Sequence, residues 1–485
     1  MARAPRTVLC CTAEIGKDDA SADGSRGECA LNLEKLMFSR VPLWLVLCIV
    51  LSGIVLLVIF GGLVSYAAGG GQRLQVLTRP ALAIADIPVN AVRYANAPTE
   101  PVTHEKRDDL PAGFWRNPAT PFVDPGYALI PHYDLKRNRY VIDLTRLSDG
   151  KIVRDYAPDI KGINDRSHLD ASYGLAVNHS PRRYRMTHPQ LMPDGGLIFH
   201  DASPEVRIDA CGRVLWTRDG IFHHANELDT DGNIWSPGRL LKSALPHVSD
   251  LFSEDEIAKI SPDGRLLGTQ SIATILAHNQ LAPLWRSVSY TDDPFHLNDI
   301  QPVLASGPYW QKGDLFISLR NMSLIMLYRP STGRVLWSRQ GPWSMQHDVD
   351  ILDDHRIAIF DNSVQSAPDG PRPLAPNGDY VVKHNRLYVY DFATGKTDSP
   401  FEAAFAAQDI RTVTQGLATY MENGDLFVEE TNYGRLLRMS PDGTVRWRYV
   451  STDTGGRRLE LGWSRYIDPK IQGPAILAAA NARCG

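Results

Sequence analysis

Several histidines in this chain recur at a fixed distance from a turn. His224 lies eight residues before Gly232, and His347 lies eight residues before His355. Seven residues after equivalent turn positions come Arg239, Arg320, Asn362 and Thr431, counted from Gly232, Gly313, His355 and Gly424. The run FHLNDI adds His296 and Asn298 ahead of the Gly313 turn, and His223 adjoins His224. If each turn joins two antiparallel strands, the residue before the first strand and the residue ending the second lie at the same end. Histidines, arginines, amides and a hydroxyl then share one rim, where strand ends on a rigid scaffold usually carry function.

Three readings of such a rim stay open. Three histidines from separate elements could bind a metal, although Arg239 and Arg320 would repel a cation. The rim could instead belong to a binding scaffold without catalysis, because a fold does not fix a function. The third reading is transfer of an anionic group. A neutral imidazole is a competent nucleophile, neighbouring cations favour its neutral form, and Arg, His and Asn donors can hold sulfuryl or phosphoryl oxygens. Each residue also has a plainer role open to it: a lone His as a hydrogen-bonded structural group, Arg239 and Arg320 as ion-pair partners, Asn298 and Asn362 as turn formers. Asp194, Asp231, Asp263 and Asp442 sit in Asp-Gly turns and read as structural. His188 and His200 lie near the same strands and rank below the rim set.

The elements that must position these residues form a repeat. A strand, a Gly-containing turn and a second strand recur around Gly150, Gly212, Gly264, Gly333, Gly395 and Gly443, at gaps of 62, 52, 69, 62 and 48 residues. A second hairpin precedes most of them, around Gly195, Gly232, Gly313, His355 and Gly424. Two hairpins make four antiparallel strands, which is one propeller blade, and six outer turns predict an all-β, six-bladed β-propeller over 126–485. Helices are expected only at Ser253–Ile260 and near Pro400–Asp409. Residues 69–125, with several prolines, read as a linker with a small cap or closing strands.

From Val41 to Ala68 no residue is charged. About 20 apolar residues suffice to cross a bilayer, whereas a signal-peptide core has about 7–15, so 41–68 reads as a single uncleaved transmembrane helix. Residues 1–40 read as disordered, and Met37 is an alternative start. Lys35 and Arg40 on one side face Arg73 and Arg79 on the other, which leaves only a weak charge bias for orientation. The net charge of -4 excludes a basic nucleic-acid face. Six cysteines cannot make a disulfide scaffold. Beyond the apolar run only Cys211 and Cys484 remain, allowing at most one bridge, and Cys211 reads as a buried small hydrophobe. No cofactor is expected: Trp216, Trp337 and Trp447 end outer strands and do not repeat the tryptophan docking pattern of quinone dehydrogenases.

The stretches HHANELDTDGN, FHLNDI, ISLRN and QHDVDILDDHRIAIFDN resemble the bacterial arylsulfate sulfotransferase family, six-bladed propellers that move a sulfuryl group between phenols without a nucleotide donor. The resemblance covers most of 185–365. It implies that His347 is the transiently sulfated histidine. It further implies that His224 and His296 are donors around the sulfuryl and phenolic oxygens, that Asn298 and Arg320 complete the catalytic set, and that Thr431 matches the family's threonine. Asn362, Arg239 and His223 are expected to bind substrate, and no metal is expected. The partners implied are an aryl sulfate donor and a phenolic acceptor, with the catalytic domain in the periplasm on an inner-membrane anchor. The chain departs from secreted members in lacking their N-terminal β-domain and nearby cysteine pair. The alternatives are a non-catalytic ligand- or protein-binding propeller at the membrane and a His-rich metal-dependent enzyme.

Overall fold

A computed structural model describes residues 42–68, a few positions between 77 and 85, and 101–484 apart from 105–107, 170–179, 244, 250–251 and 367–378. The expectation for 1–40 lies outside the described residues. The chain divides into two units, Met1–Ala97 and Pro98–Gly485. In the first, Leu43–Ala68 is one α-helix. Its stretch Leu43–Tyr66 is long and apolar enough to cross a membrane.

The second unit is a six-bladed propeller. The second to sixth blades begin with inner strands at Thr187–Leu191, Ile221–Phe222 with Glu227–Leu228, Leu297–Pro302, Asp348–Ile351 and Leu417–Tyr420. Each continues through three more antiparallel strands. The first blade takes its inner strand from the far end of the chain: Arg465–Ile467 pairs with Tyr127–Asp134, which is followed by Arg139–Arg146 and Lys151–Tyr156. A further exchange adds Gly113–Arg116 outside Val445–Val450 as a fifth strand of the sixth blade. Strands from the two ends of this unit therefore close the ring by pairing. The six glycines that set the repeat all occupy outer turns with φ between 68° and 84°, a region that costs any other residue strain.

Three local expectations fail, the first being that helices are confined to two places: Ile160–Asn164, Ile272–His278, Pro283–Arg286 and Pro469–Asn481 are helical too. Asp255–Ile260 is not helical; it is a strand held between Ile234–Arg239 and Leu266–Ser271. Its short run of mixed polar and apolar residues fits either period, and pairing on both sides decides for the sheet. The helix expected near 400–409 is present as Glu402–Ala407. Cys211 is also not a lone buried thiol. It forms a disulfide with Cys484, with Cα atoms 5.4 Å apart. The helix Pro469–Asn481 brings Cys484 there. It packs Ala475, Ile476 and Ala479 into the core beneath the first two blades, so closely that a Cβ on Gly195 would lie 2.3 Å from the Ala479 nitrogen.

Candidate active site

At every inner-strand mouth one residue has positive φ: Trp463 (66°), His188 (43°), His224 (64°), His296 (52°), Met345 (52°) and Gln415 (57°). None is glycine, and each such residue costs about 1–3 kcal/mol unless its surroundings fix it. Side chains of the preceding blade do fix most of them. Asp255 Oδ2 accepts from Leu297 N at 2.7 Å, Asp299 Oδ2 from Val349 N at 3.0 Å, and Asp348 Oδ2 from Ala418 N at 3.1 Å. Glu429 Oε1 accepts from Trp463 N at 3.0 Å, and His188 Nδ1 accepts from Asn226 N at 3.2 Å. His188 is thus a junction residue, and His200, bound to Glu205 at 3.1 Å, is likewise structural.

The mouths bring three of the expected histidines together. The His224 ring centre is 5.2 Å from His296 and 5.5 Å from His347. His347 is fully buried. Its Nδ1 lies 2.7 Å from Asn362 Oδ1. The Asn362 amide is oriented by its own donations to Thr412 O at 3.0 Å and Gln415 O at 2.8 Å. Oδ1 can then only accept, so the proton sits on His347 Nδ1 and the lone pair on Nε2. That Nε2 is buried and has no hydrogen-bond partner. Burial, followed by the charges of Arg320 and His296, holds the ring well below its ordinary pKa, hence neutral.

His296 is held differently. Its Nδ1 lies 2.6 Å from Asp293 Oδ2. Burial opposes ionisation of Asp293, but the bond from His296 and the nearby cationic groups keep its carboxyl below the usual range. With Nδ1 committed to Asp293, Nε2 is the ring atom left to meet a ligand. His224 shares a 2.9 Å Nδ1–Nδ1 hydrogen bond with His223. Burial, then the neighbouring histidines, keep His224 well below its ordinary pKa.

Arg320 opens a short 3₁₀ turn where the second strand of its blade ends, and its backbone N–H donates to His296 O at 3.0 Å. Its guanidinium donates to Asn321 at 2.8 Å and Asp379 at 3.4 Å, while Nε is buried without a partner. Asn298 donates to the Gln346 carbonyl at 3.2 Å, bracing the residue before His347, and its Oδ1 is buried without a partner.

Other expected residues sit one step back. Asn362 spends its amide behind His347, and so orients the ring where substrate contact was expected. Thr431 donates to Glu429 Oε1 at 2.7 Å and accepts from Gly416 N at 3.1 Å, which commits its hydroxyl to the sixth mouth. Arg239 and His223 both turn toward buried Asp255, at 3.7 and 3.6 Å, on the flank of the histidine cluster. Among the described residues, the group with metal-ligand spacing is Asp353, Asp354 and His355. It forms the turn at the opposite end of the His347 strand.

The sequence reading missed two neighbours. Asp293 stands three residues before His296, where no repeat or turn spacing marks it. Trp463, fully buried on the chain's last inner-strand mouth, lies 5.8 Å from the His224 ring and 6.4 Å from His347. Its blade has no neighbouring hairpin in sequence from which the register could be counted.

Among curated proteins the chain has no match in sequence. Solved structures resemble it only distantly. A protein of unknown function from Bacteroides caccae aligns at 12% identity over 71% of this chain and 99% of its own, with a TM-score of 0.43. A nidogen/laminin complex aligns at 9% identity over 71% and 98%, with a TM-score of 0.39. Virginiamycin B lyase from Staphylococcus aureus aligns at 12% over 55% and 70%, with a TM-score of 0.32. Likenesses this low carry no argument about the reaction. The family model described as arylsulfotransferase (ASST), by contrast, matches residues 188–452, which hold five of the six inner-strand mouths and more than half of the sequence. On that match the chain belongs to the arylsulfotransferase (ASST) family.

Proposed function

We propose that the protein transfers a sulfuryl group from an aryl sulfate to a phenolic acceptor through a sulfated His347. The observation that carries this reading is the buried, unpartnered Nε2 lone pair of a neutral His347. In the first step Nε2 attacks sulfur and the S–O(aryl) bond breaks. The bonding pair leaves with the phenolic oxygen, which takes a proton from His296 Nε2. The ring of His347 gains positive charge as the N–S bond forms, and the Asn362 carbonyl stabilises it through Nδ1–H. In the second step an acceptor phenol gives its proton back to His296 and attacks sulfur. The N–S bond then breaks and its pair returns to His347. Arg320 and His224 face the sulfuryl group, where fixed donors lower the barrier as charge shifts, and Asn298 braces the Gln346 carbonyl next to His347. Asn362, Thr431, Arg239 and His223 position these groups from behind.

The protein incubated with an aryl sulfate and no acceptor should gain one sulfuryl group on His347, read by peptide mass spectrometry. His347→Ala should gain none while still folding. Near-normal transfer by that variant would exclude the mechanism.

We further propose that 41–68 anchors the propeller to the inner membrane with residues 126–485 in the periplasm. The Cys211–Cys484 disulfide supports an oxidising compartment. Protease added to spheroplasts should then digest the propeller, and its protection would reverse the orientation.

A further inference from the structure

The rings of His223 and His224 meet edge on, with centres 5.1 Å apart and Nδ1 atoms 2.9 Å apart. A proton must lie between two facing nitrogens at that distance, and either ring can supply it. If His224 supplies it, the Nε2 of a neutral His224 carries a lone pair and can only accept. If His223 supplies it, the proton of His224 sits on Nε2, which can then only donate. Burial and the neighbouring histidines keep His224 neutral, so the choice rests on His223.

The groups around His223 bear on that choice from two sides. Its backbone N–H donates to Pro237 O at 3.0 Å, which sets it against the strands Ile234–Arg239 and Asp255–Ile260. From these strands Asp255 Oδ1 stands 3.6 Å from His223 Nε2 and 3.7 Å from Arg239 Nε. All three atoms are buried without a hydrogen-bond partner, a few tenths of an ångström beyond bonding distance. From the connection ahead of the fourth blade comes His296, its ring centre 6.3 Å from His223, with Asp293 bound to it. A carboxylate facing Nε2 disfavours a lone pair there, so a neutral His223 keeps its proton on Nε2 and accepts at Nδ1 from His224. Burial holds His223 below its ordinary pKa; Asp255 opposes that shift, while Arg239 and His296 add to it. Near neutral pH the unliganded pair therefore turns a lone pair of His224 toward the site, which suits no anion.

We propose that an anion arriving at His224 Nε2 reverses this pair, and that His223, backed by Asp255, is the positioning residue that makes His224 a donor. A proton from solvent adds to His224 Nε2, and the Nδ1 proton of His224 passes to His223 Nδ1. His224 ends neutral, with Nε2–H toward the anion. The one added charge rests on His223, where Asp255 Oδ1 closes on Nε2–H. The inference rests on the sulfuryl-transfer reading, in which the anion is the sulfate ester, and couples its binding to pH.

The test uses full-length protein in detergent and 4-nitrobenzenesulfonate, whose sulfur is bound to carbon and cannot be transferred. Calorimetry in two buffers of different ionisation heat gives the protons taken up per ligand bound. Near pH 7 the wild type should take up roughly one-half to one proton. His223→Gln keeps an amide that can bond His224 Nδ1 but cannot hold the charge, so this uptake should vanish. Arg239→Met removes a cation that opposes charge on His223 and should move the whole uptake profile to higher pH. Damage to the fold would not produce that shift, so Arg239→Met decides if His223→Gln fails to bind. Equal uptake by wild type and His223→Gln, or an unmoved profile in Arg239→Met, would overturn the proposal. So would a wild type that binds the sulfonate without uptake or does not bind it. If uptake behaves as expected but aryl sulfates leave His347 unmodified, the coupling stands and the transfer reading fails. If His347 is sulfated while uptake is the same in wild type and His223→Gln, the transfer reading stands and the coupling fails.

Discussion

His347 and His296 are both histidines at inner-strand mouths, yet their partners give them opposite chemistry. An amide carbonyl stands behind Nδ1 of His347 and a carboxylate behind Nδ1 of His296, and in the transfer we propose the first ring attacks sulfur while the second carries the proton. Removing that charge gives a specific outcome. In Asp293→Asn the amide can still accept from Nδ1, but the imidazolium loses its counter-charge. Donors with poor leaving groups, such as phenyl sulfate, should slow by roughly 10²-fold, the scale of one general acid. Nitrophenyl sulfate, whose phenolate needs little protonation, should slow far less. A uniform loss across both donors in a steady-state comparison would mean that Asp293 serves only to hold the loop.

At the scale of elements, the C-terminal helix and its disulfide act as a clasp. The inner strand Arg465–Ile467 closes the ring without a covalent bond of its own, and the next helix is tied to the second blade through Cys211–Cys484. The bridged cysteines are 273 residues apart in sequence, so the cross-link restricts a long stretch of the unfolded chain. Cys484→Ser should lower stability by about 2–5 kcal/mol, read as a shift in denaturant midpoint. The effect should disappear when wild type and variant are compared under reducing conditions. The histidine cluster is held by the blade junctions and not by this clasp, so transfer at low temperature should survive the substitution.

For the whole molecule, the buried carboxylates of the inner strands make stability depend on pH. Asp350 is raised to about 7, by burial and then by Glu227 nearby, with Arg465 partly offsetting the rise. Burial also raises Asp299 and Asp348 well above the carboxylate range, although both accept the backbone bonds that join blades. A carboxyl with a raised folded pKa favours the folded state when protonated. That stability is lost as pH climbs from the unfolded value near 4 through about 7. Asp350→Asn mimics the protonated form. It should therefore stabilise the protein more at pH 8 than at pH 5, by on the order of 2 kcal/mol. Thermal melts at the two pH values check this, and an equal gain at both would show that packing and not ionisation sets the effect.

Much of this organisation was legible in the chain. Positive-φ glycines at regular intervals count the blades, because hairpin turns are governed by residues only a few positions apart. Counting eight residues before a turn and seven after it placed His224, Arg320, His347 and Asn362 at strand ends on the same side, because antiparallel register is fixed by the turn itself. The uncharged run 41–68 gave its helix by length alone. Tertiary structure decided everything that depends on ring closure. It put Arg465–Ile467 into the first blade, joined Cys211 to Cys484, and placed Trp463 against His224. It made Asp255–Ile260, within the segment expected to be helical, a paired strand. It also set the state of each histidine: whether Nδ1 meets the Asn362 carbonyl or the Asp293 carboxylate depends on which side chain the folded loops bring within hydrogen-bonding distance, and residue spacing carries no record of that.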